Sequence, residues 1–178
     1  MKEQTTLPCH KGPAVVFESA RDLALRLDDP NLDVSKDSVL VLKGIGPMGN
    51  PGMPEARMIP IPRKLAAQGV TDMLRISDWR MSGTAGGTIV LHVSPESAIP
   101  DSPFGVTQTG DIIEFDAEKR VSRLDVDTTE VLARLLQPKQ QIEGHGDSTW
   151  KDRENRLGYR GLYERTVNQA HEGAGFAF

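Results

Sequence analysis

The chain has 178 residues, enough for one domain with a buried core, and its 38% hydrophobic and 26% charged residues are ordinary for a soluble globular protein. Its net charge of −4 provides no basic field for nucleic acid, and no apolar run has the length of a membrane span or the pattern of a signal peptide, so we expect a cytoplasmic protein. The single cysteine, Cys9, excludes an internal disulfide and a self-contained cysteine-ligated metal or cluster site.

Short apolar runs alternate with helical patterns in the first half of the chain. Residues 1–12 are polar and are predicted to be a flexible lead-in to a domain over residues 13–137. Ser19 is the expected N-cap of the first helix. The predicted elements are a strand at Ala14–Phe17, a helix at Ala20–Leu27, a strand at Ser38–Leu42, a helix at Ile61–Gln68, and strands at Met73–Ile76 and Thr88–Val93.

Two loops of this half are rich in small residues. Lys43–Glu55 contains four glycines and three prolines, which excludes a helix or a central strand. Ser82–Gly87 is a turn between two apolar strands, and its glycines can adopt positive φ and direct several N–H groups at one anion. Ser82 and Thr84 add two hydroxyls there. We therefore interpret this turn as the candidate active site, although serine and threonine are also ordinary turn residues.

The second half predicts a meander followed by helices. Three antiparallel strands are predicted at Phe104–Gln108, Asp111–Phe115 and Arg120–Val126. The capping box Asp127–Glu130 opens a helix whose inward face is predicted to contain Val131, Leu132, Leu135 and Leu136. A polar excursion over residues 138–156 and a C-terminal helix and docking tail over residues 157–178 follow. The helix is predicted at Leu157–His171, with one face formed by Tyr159, Leu162, Tyr163, Val167 and Ala170. Strands and helices in this mixed order predict one α/β domain built on a mixed, barrel-like sheet.

Several polar residues around the candidate turn receive structural predictions. Asp78 and Arg80 are expected to form an internal salt bridge or a cap that holds the turn. Arg75, at the end of a strand, is expected to be structural, with a substrate contact as the alternative. His92 lies in an apolar run and is predicted to be a hydrogen-bonded core histidine. Glu96 is expected near the N-terminus of a helical turn, where the dipole favours a carboxylate.

Three motifs at characteristic separations carry a family resemblance. They are Gly46–Glu55 (GPMGNPGMPE), Arg75–Thr84 (RISDWRMSGT) and Leu91–Glu96 (LHVSPE). Together they resemble the C-terminal domain of the dihydroxy-acid dehydratase/phosphogluconate dehydratase family, over Gly12 to Glu130 and again in the last helix and tail. The wording of the serine turn and of the segment GYRGLYERTVNQAHEG resembles the sugar-acid (aldonate) dehydratase branch.

The resemblance implies a fold and a reaction. The fold is a swivelling β/β/α domain of the aconitase C-terminal type. The reaction is the dehydration of a 2,3-dihydroxy acid or sugar acid to a 2-keto acid by an enzyme that uses an iron–sulfur cluster and Mg²⁺. By position, Ser82 corresponds to the base that takes the C2 proton, Thr84 and Gly83 to substrate-binding residues, and Glu55 to the Mg²⁺ ligand of this domain.

The resemblance also implies what this chain lacks. In the family, the cluster cysteines and the other Mg²⁺ ligands lie in a large N-terminal domain, so we expect the chain to need that domain or chain as a partner, in a homo-oligomer when complete. Three alternatives stay open: a catalytic domain that works with such a partner, a non-catalytic module that binds a sugar acid or a protein, and a remnant. Glu55 as a solvated loop carboxylate is the plain alternative to its ligand role. Trp79 stands where the family usually has a small residue, and its ring is expected to crowd the substrate channel or shift specificity.

Overall fold

The computed structural model describes residues 7–52, 59–83, 85–136 and 156–177. Apart from Arg156, the predicted polar excursion lies outside these ranges. The elements in chain order are β1 (Cys9–Phe17), α1 (Ala20–Arg26), β2 (Val39–Leu42), α2 (Arg63–Ala66), β3 (Arg75–Ser77), β4 (Ile89–Val90), β5 (Ile112–Asp116), β6 (Val121–Leu124), α3 (Thr128–Leu136), α4 (Gly158–Thr166) and a 3₁₀ helix (Ala170–Glu172). None of the helices described is long and apolar enough to cross a membrane.

The strands form one mixed sheet in the order β4–β3–β2–β1–β5–β6. Strands β1 to β4 are parallel to their neighbours, whereas β5 is antiparallel to β1 and β6 is antiparallel to β5. The sheet has the form of a half-barrel with a few helices. This confirms the predicted α/β class and the mixed, barrel-like sheet.

The central strand β1 changes partners along its length. Residues 14–17 pair in parallel with β2, and residues 9–13 pair antiparallel with β5. Pro13, which has no N–H, lies at the change, a position in which a missing ladder donor is tolerated. Residues 9–12 therefore belong to the sheet, and the predicted flexible lead-in is wrong for them.

Both faces of β2 and of residues 14–17 of β1 are buried, as is typical of apolar runs without alternation. One face contributes to a core that also contains side chains from α1 and α2. The members of this core include Val15, Phe17, Leu27, Leu40, Leu42 and Leu65. The other face lies in a second core that includes Ala14, Val16, Val39, Val41, Leu74, Ile76 and Ile113. The two cores fix the parallel half of the sheet, from whose strands the candidate turn extends.

The first two helices lie where they were predicted, with different lengths. The Ser19 hydroxyl accepts a hydrogen bond from the Asp22 N–H at 3.1 Å, which confirms the N-cap of α1. Helix α2 is shorter than predicted because Pro62 occupies its N-cap position with a ψ of 133°. Gly69, with a φ of +88°, follows its end.

The predicted strand at Phe104–Gln108 is wrong. The Val106 N–H donates to the Pro103 carbonyl and the Thr107 N–H donates to the Phe104 carbonyl, both at 3.3 Å, so the segment is a series of turns. Strand β5 pairs instead with β1, which supplies a longer run of partners. Strand β4 is also shorter than its predicted range.

Helix α3 packs differently from its prediction. Its N-terminus is capped as expected, because Asp127 accepts the N–H of the residue two positions on at 2.8 Å. The predicted inward face is wrong for Leu132 and Leu136, which are 54% and 86% exposed, whereas Val131 and Leu135 are half-buried. Arg134 docks the helix by donating to both carboxylate oxygens of Asp111, at 2.6 and 3.0 Å. A buried ion pair, rather than an apolar stripe, holds α3.

The C-terminal segment forms a shorter helix than the predicted Leu157–His171. Val167 follows α4 with extended backbone and forms an isolated antiparallel bridge with Phe176, so the tail folds back along the helix. The rings of Tyr163 and Phe176 meet edge to face at 5.6 Å. Tyr159 is 92% exposed, so the predicted common face is wrong for it. The tail docks on its own helix.

Candidate active site

The Ser82–Gly87 turn lies in the crossover that joins the parallel strands β3 and β4. Ser82 is half-buried and Gly83 beside it is exposed. The Ser82 carbonyl accepts a hydrogen bond from the Ala85 N–H at 2.9 Å, which closes the turn. A Cβ placed on Gly83 would meet no described atom within 4 Å, so the space next to Ser82 is open. Thr84 lies outside the described residues.

A buried ion pair braces the far end of this turn. Arg75, which is 1% exposed, donates to Asp72 Oδ1 at 2.9 Å, to the Gly86 carbonyl at 2.8 Å and to two further backbone carbonyls. Asp72 also accepts the N–H and the hydroxyl of Thr88, at 3.0 and 2.7 Å. Burial lowers the pKa of Arg75, and Asp72 opposes this shift. The structural role predicted for Arg75 is confirmed.

Gly87 is required where the turn meets this ion pair. Its φ is +95°, a conformation that L side chains rarely adopt. A Cβ there would also collide with the Arg75 guanidinium and the Asp72 carboxylate. Gly83 lies outside the positive-φ region, so positive φ, which was allowed for all the glycines of the turn, is used at Gly87 and not at Gly83.

Asp78 fastens the start of the crossover to the Gly/Pro-rich loop. It is fully buried, and its Oδ1 accepts the Ile45 N–H at 3.2 Å. Its Oδ2 accepts the Ser97 N–H at 3.0 Å and the Ser97 hydroxyl at 2.5 Å, and the Ser97 oxygen accepts the Gly44 N–H at 2.7 Å. Burial raises the pKa of Asp78, and the hydrogen bonds from Ser97 oppose this. A structural role for Asp78 is confirmed, with partners in the loop and at Ser97. The predicted pairing of Asp78 with Arg80 stays a prediction.

Glu96 fastens the next part of the same loop. Its side chain is fully buried; Oε1 accepts the Met48 N–H at 2.8 Å and the Gln169 side-chain amide at 2.9 Å, and Oε2 accepts the Gly49 N–H at 2.7 Å. Burial raises the pKa of Glu96, the loop N–H groups oppose this, and the charge of Asp78 adds to the increase. Glu96 opens a turn as expected, because its carbonyl accepts the Ile99 N–H at 3.1 Å, but its carboxylate binds loop amides from elsewhere in the chain.

Four separate motifs thus meet through buried hydrogen bonds. The consecutive residues Glu96 and Ser97 hold the two ends of the loop at residues 44–49, Asp78 joins the loop to the crossover, and Gln169 brings in the C-terminal segment. Sequence reasoning assigned no role to Ser97 or Gln169. Both lie in or beside the segments that carry the family resemblance, and this position is the signal that could have identified them.

Glu55 lies on the continuation of this loop, outside the described residues, as Thr84 does. The structure therefore describes two of the four predicted site residues, Ser82 and Gly83, which are adjacent in the turn. That Glu55 and Thr84 lie at the same site as Ser82 and Gly83 stays a prediction.

Two aromatic side chains have predicted roles around the turn. The ring of Trp79 is 5% exposed and is buried in the core with side chains from α1 and α2. Its expected effect on substrate specificity stays a prediction. His92 is exposed, with a φ of +56°, so the core-histidine prediction is wrong. Its N–H donates to the Trp79 carbonyl at 3.0 Å. Both residues shape the crossover through packing and backbone contacts.

The residues present do not fit a complete cofactor site. An iron–sulfur cluster needs several thiolates, and Cys9 is the single cysteine. No group of three or more histidine, cysteine, aspartate or glutamate side chains in the described ranges could hold a metal. Mg²⁺ typically takes one or two protein carboxylates together with substrate oxygens and water, so Glu55 suits one ligand position and cannot form the site alone.

A cleft of about 200 Å³ opens on the sheet, and its lining includes Ile76, Phe104 and Ile113 but neither Ser82 nor Gly83. Its lining is mostly apolar but also includes the polar side chains of Ser94, Thr107, Ser122 and Arg123. The serine turn, which carries the family motif, remains the candidate site.

Comparison with known proteins agrees with these motifs. The family model described as "Dihydroxy-acid/6-phosphogluconate dehydratase C-terminal" matches residues 2–174. A protein of Rhizobium meliloti (strain 1021) that carries a dehydratase name is 47% identical over 97% of this chain and 28% of its own length. The 6-deoxy-6-sulfo-D-gluconate dehydratase of Pseudomonas putida is 42% identical, and the L-arabinonate dehydratase of Rhizobium leguminosarum bv. trifolii (strain WSM2304) is 40% identical, each over 95% of this chain and 27% of its own length.

This chain thus spans little more than a quarter of the length of these relatives. The match covers nearly all of the chain and includes the loop, the serine turn and most of the C-terminal segment. The chain therefore belongs to the dihydroxy-acid/6-phosphogluconate dehydratase family and corresponds to the C-terminal domain of its members.

Proposed function

We propose that this chain is the C-terminal domain of a hydro-lyase that converts a 2,3-dihydroxy acid or a sugar acid into a 2-keto acid. The family match and the sugar-acid names of two relatives support this proposal. The observation that carries it is the setting of Ser82, a half-buried residue on a turn braced by a buried ion pair, with open space at Gly83. The cytoplasmic location and the homo-oligomeric state expected from the sequence stay predictions.

Ser82 is the proposed base. As an alkoxide it takes the proton from C2 of the substrate, the C2–H electrons form a C2=C3 double bond, and the 3-hydroxyl departs with its bonding electrons. The departing hydroxide takes up the proton that Ser82 removed, which yields water and restores the alkoxide. The enol product then tautomerises to the 2-keto acid. A free serine hydroxyl is too weakly acidic to form an alkoxide base near neutral pH unless cations or N–H donors surround its oxygen. Gly83 and Thr84 are proposed to bind the substrate carboxylate beside it.

The chain cannot supply the whole site, so the proposal includes a partner. A separate N-terminal domain or chain would hold the iron–sulfur cluster and the remaining Mg²⁺ ligands, while Glu55 contributes one carboxylate. The cluster and Mg²⁺ would supply positive charge for the departing hydroxyl and the substrate oxygens. The single cysteine and the absence of a three-ligand group among the described residues support this division.

The test combines the purified chain with the cofactor-loaded N-terminal part of the L-arabinonate dehydratase and measures 2-keto acid formation from a panel of aldonates and 2,3-dihydroxy acids. Activity that depends on both parts is expected, with a loss of at least about 100-fold in Ser82→Ala. Thr71→Ala, which removes an exposed hydroxyl of the same stretch, is the matched control and should retain activity. Equal activity of the two variants in a formed complex would refute the role of Ser82.

The second candidate is a non-catalytic module that binds a sugar acid or a protein. The single cysteine, which leaves this chain without the thiolates of an iron–sulfur cluster, favours it. Calorimetry of the chain alone against aldonates with Mg²⁺ separates the two candidates. Binding without any partner, together with no turnover in the combined assay, would support the module and contradict the dehydratase.

A further inference from the structure

We propose that Glu96 is a positioning residue that fixes the backbone of the loop leading to Glu55, and that Gln169 of the C-terminal segment in turn fixes Glu96. Its effect on metal binding rests on the function proposed above, whereas its effect on the loop does not. The proposal starts from the two loop amides of Met48 and Gly49, which donate to different oxygens of the same buried carboxylate at 2.8 and 2.7 Å.

The carboxylate supports a part of the loop that lies outside regular secondary structure. Residues 43–52 form no helix or strand, and one turn is closed by the Asn50 N–H donating to the Gly46 carbonyl at 2.8 Å. Buried N–H groups that lose their acceptor are costly, so the loop would rearrange without Glu96. The fit is also close: a Cβ on Gly46 would lie 2.6 Å from Glu96 Oε2.

Gln169 fixes Glu96 through both of its side-chain atoms. Its amide nitrogen donates to Glu96 Oε1 at 2.9 Å, and its amide oxygen accepts the Glu96 N–H at 2.8 Å. The carboxylate can only accept and the N–H can only donate, so the network determines which way the Gln169 amide points. The backbone of Gln169 is itself held, because its N–H donates to Glu172 at 3.1 Å in the capping box of the 3₁₀ helix.

A second set of hydrogen bonds, which we call the clamp, holds the start of the loop and distinguishes the effect of losing Glu96 from a general loosening of the loop. Ser97 and Asp78 hold Gly44 and Ile45, and Asp78 begins the crossover that contains Ser82. Loss of the Glu96 carboxylate therefore releases the part of the loop nearer to Glu55 and leaves the clamp beside the serine turn in place. In the combined enzyme this predicts a changed requirement for Mg²⁺ with a much smaller change in the maximal rate.

The first test is amide hydrogen exchange in the chain with Glu96→Gln, which keeps the size of the side chain but replaces one acceptor oxygen by a donor. Exchange at Met48 or Gly49 should accelerate about tenfold or more relative to Gly44 and Ile45. Gln169→Met, which retains the carboxylate, should accelerate the same amides to a smaller extent. Asp111→Asn is the matched control, because it removes a buried charge that binds α3 and not the loop.

Unchanged exchange at both amides in Glu96→Gln, or the same acceleration in Asp111→Asn, would overturn the proposal. Gln169→Met gives an independent measurement if Glu96→Gln folds poorly, and unchanged exchange there would overturn the role of Gln169. In the combined enzyme, Glu96→Gln should raise the half-saturating Mg²⁺ concentration about tenfold while kcat changes by less than about threefold. Faster exchange with an unchanged Mg²⁺ requirement would overturn the link to the metal, and an active Ser82→Ala complex would contradict the proposed function alone.

Discussion

Arg75→Met tests how much the buried ion pair at the far end of the serine turn contributes to stability without changing a residue of the turn. The substitution keeps the length of the side chain in its buried position and removes the guanidinium that donates to Asp72 and to the Gly86 carbonyl. It therefore leaves Ser82 unaltered in sequence while releasing the far end of its turn.

The expected cost follows from what remains unpaired. Removing one partner of a buried ion pair costs about 3–5 kcal/mol of unfolding free energy. Asp72 keeps the N–H and hydroxyl of Thr88 as donors, so we expect a loss near the lower limit, about 3 kcal/mol. With a urea m-value of about 2 kcal/mol/M, the midpoint should fall by about 1.5 M.

Urea unfolding followed by circular dichroism measures this change, and Arg123→Met is the control. Arg123 pairs with Glu114 on the surface, with 60% of its side chain exposed, and such pairs contribute about 0–1 kcal/mol. If the two variants shifted the midpoint equally, or Arg75→Met shifted it by less than about 0.3 M, the assignment of Arg75 as the brace would be refuted.

Three further predictions follow from single contacts. Gly83→Ala should change the unfolding free energy by less than about 0.5 kcal/mol, whereas Gly87→Ala should lower it by about 2 kcal/mol or more because of its positive φ and the collision with the ion pair; equal melting temperatures would contradict this contrast. Arg134→Leu should accelerate amide exchange throughout α3, while Glu130→Ala should not, because the Glu130 carboxylate is 54% exposed; similar exchange in both would contradict the docking role of Asp111. The pKa of Glu96 is raised on folding, so the folded state binds its proton more tightly than the unfolded state does. The contribution of Glu96 to the free energy of unfolding therefore declines as pH rises from the ordinary carboxyl range toward the raised pKa. Glu96→Gln should flatten that part of a stability–pH profile measured by urea unfolding, and an unchanged slope would count against the shift.

The strands were predictable from the sequence where local pattern and tertiary environment agree. The run at Ser38–Leu42 has no polar alternation, and β2 is buried on both faces. The segment at Phe104–Gln108 has fewer apolar residues, Pro103 and Gly105 favour turns, and β1 takes the place beside β5. Pairing of strands distant in sequence leaves no local signal.

The polar framework of the site was the least predictable part. Glu96 reads as an ordinary carboxylate near a turn, because its partners Met48, Gly49 and Gln169 lie far from it in sequence. The prediction that Leu132 and Leu136 face inward was wrong for the same reason, because the contact that docks α3 is the ion pair of Arg134 and Asp111, which are distant in sequence. Ser82 was selected through the family motif, and its chemical role stays a prediction.

The change of partners in β1 has a consequence for folding during synthesis. The parallel partner β2 follows β1 closely, but β5 emerges on the order of a hundred residues after the segment it covers, so residues 9–13 remain an unpaired sheet edge in the meantime. Exposed edges invite pairing between chains, and lysine and proline are the residues that discourage it. Lys11 and Pro13 lie on this temporary edge. They therefore serve the nascent chain as protection against aggregation until β5 arrives.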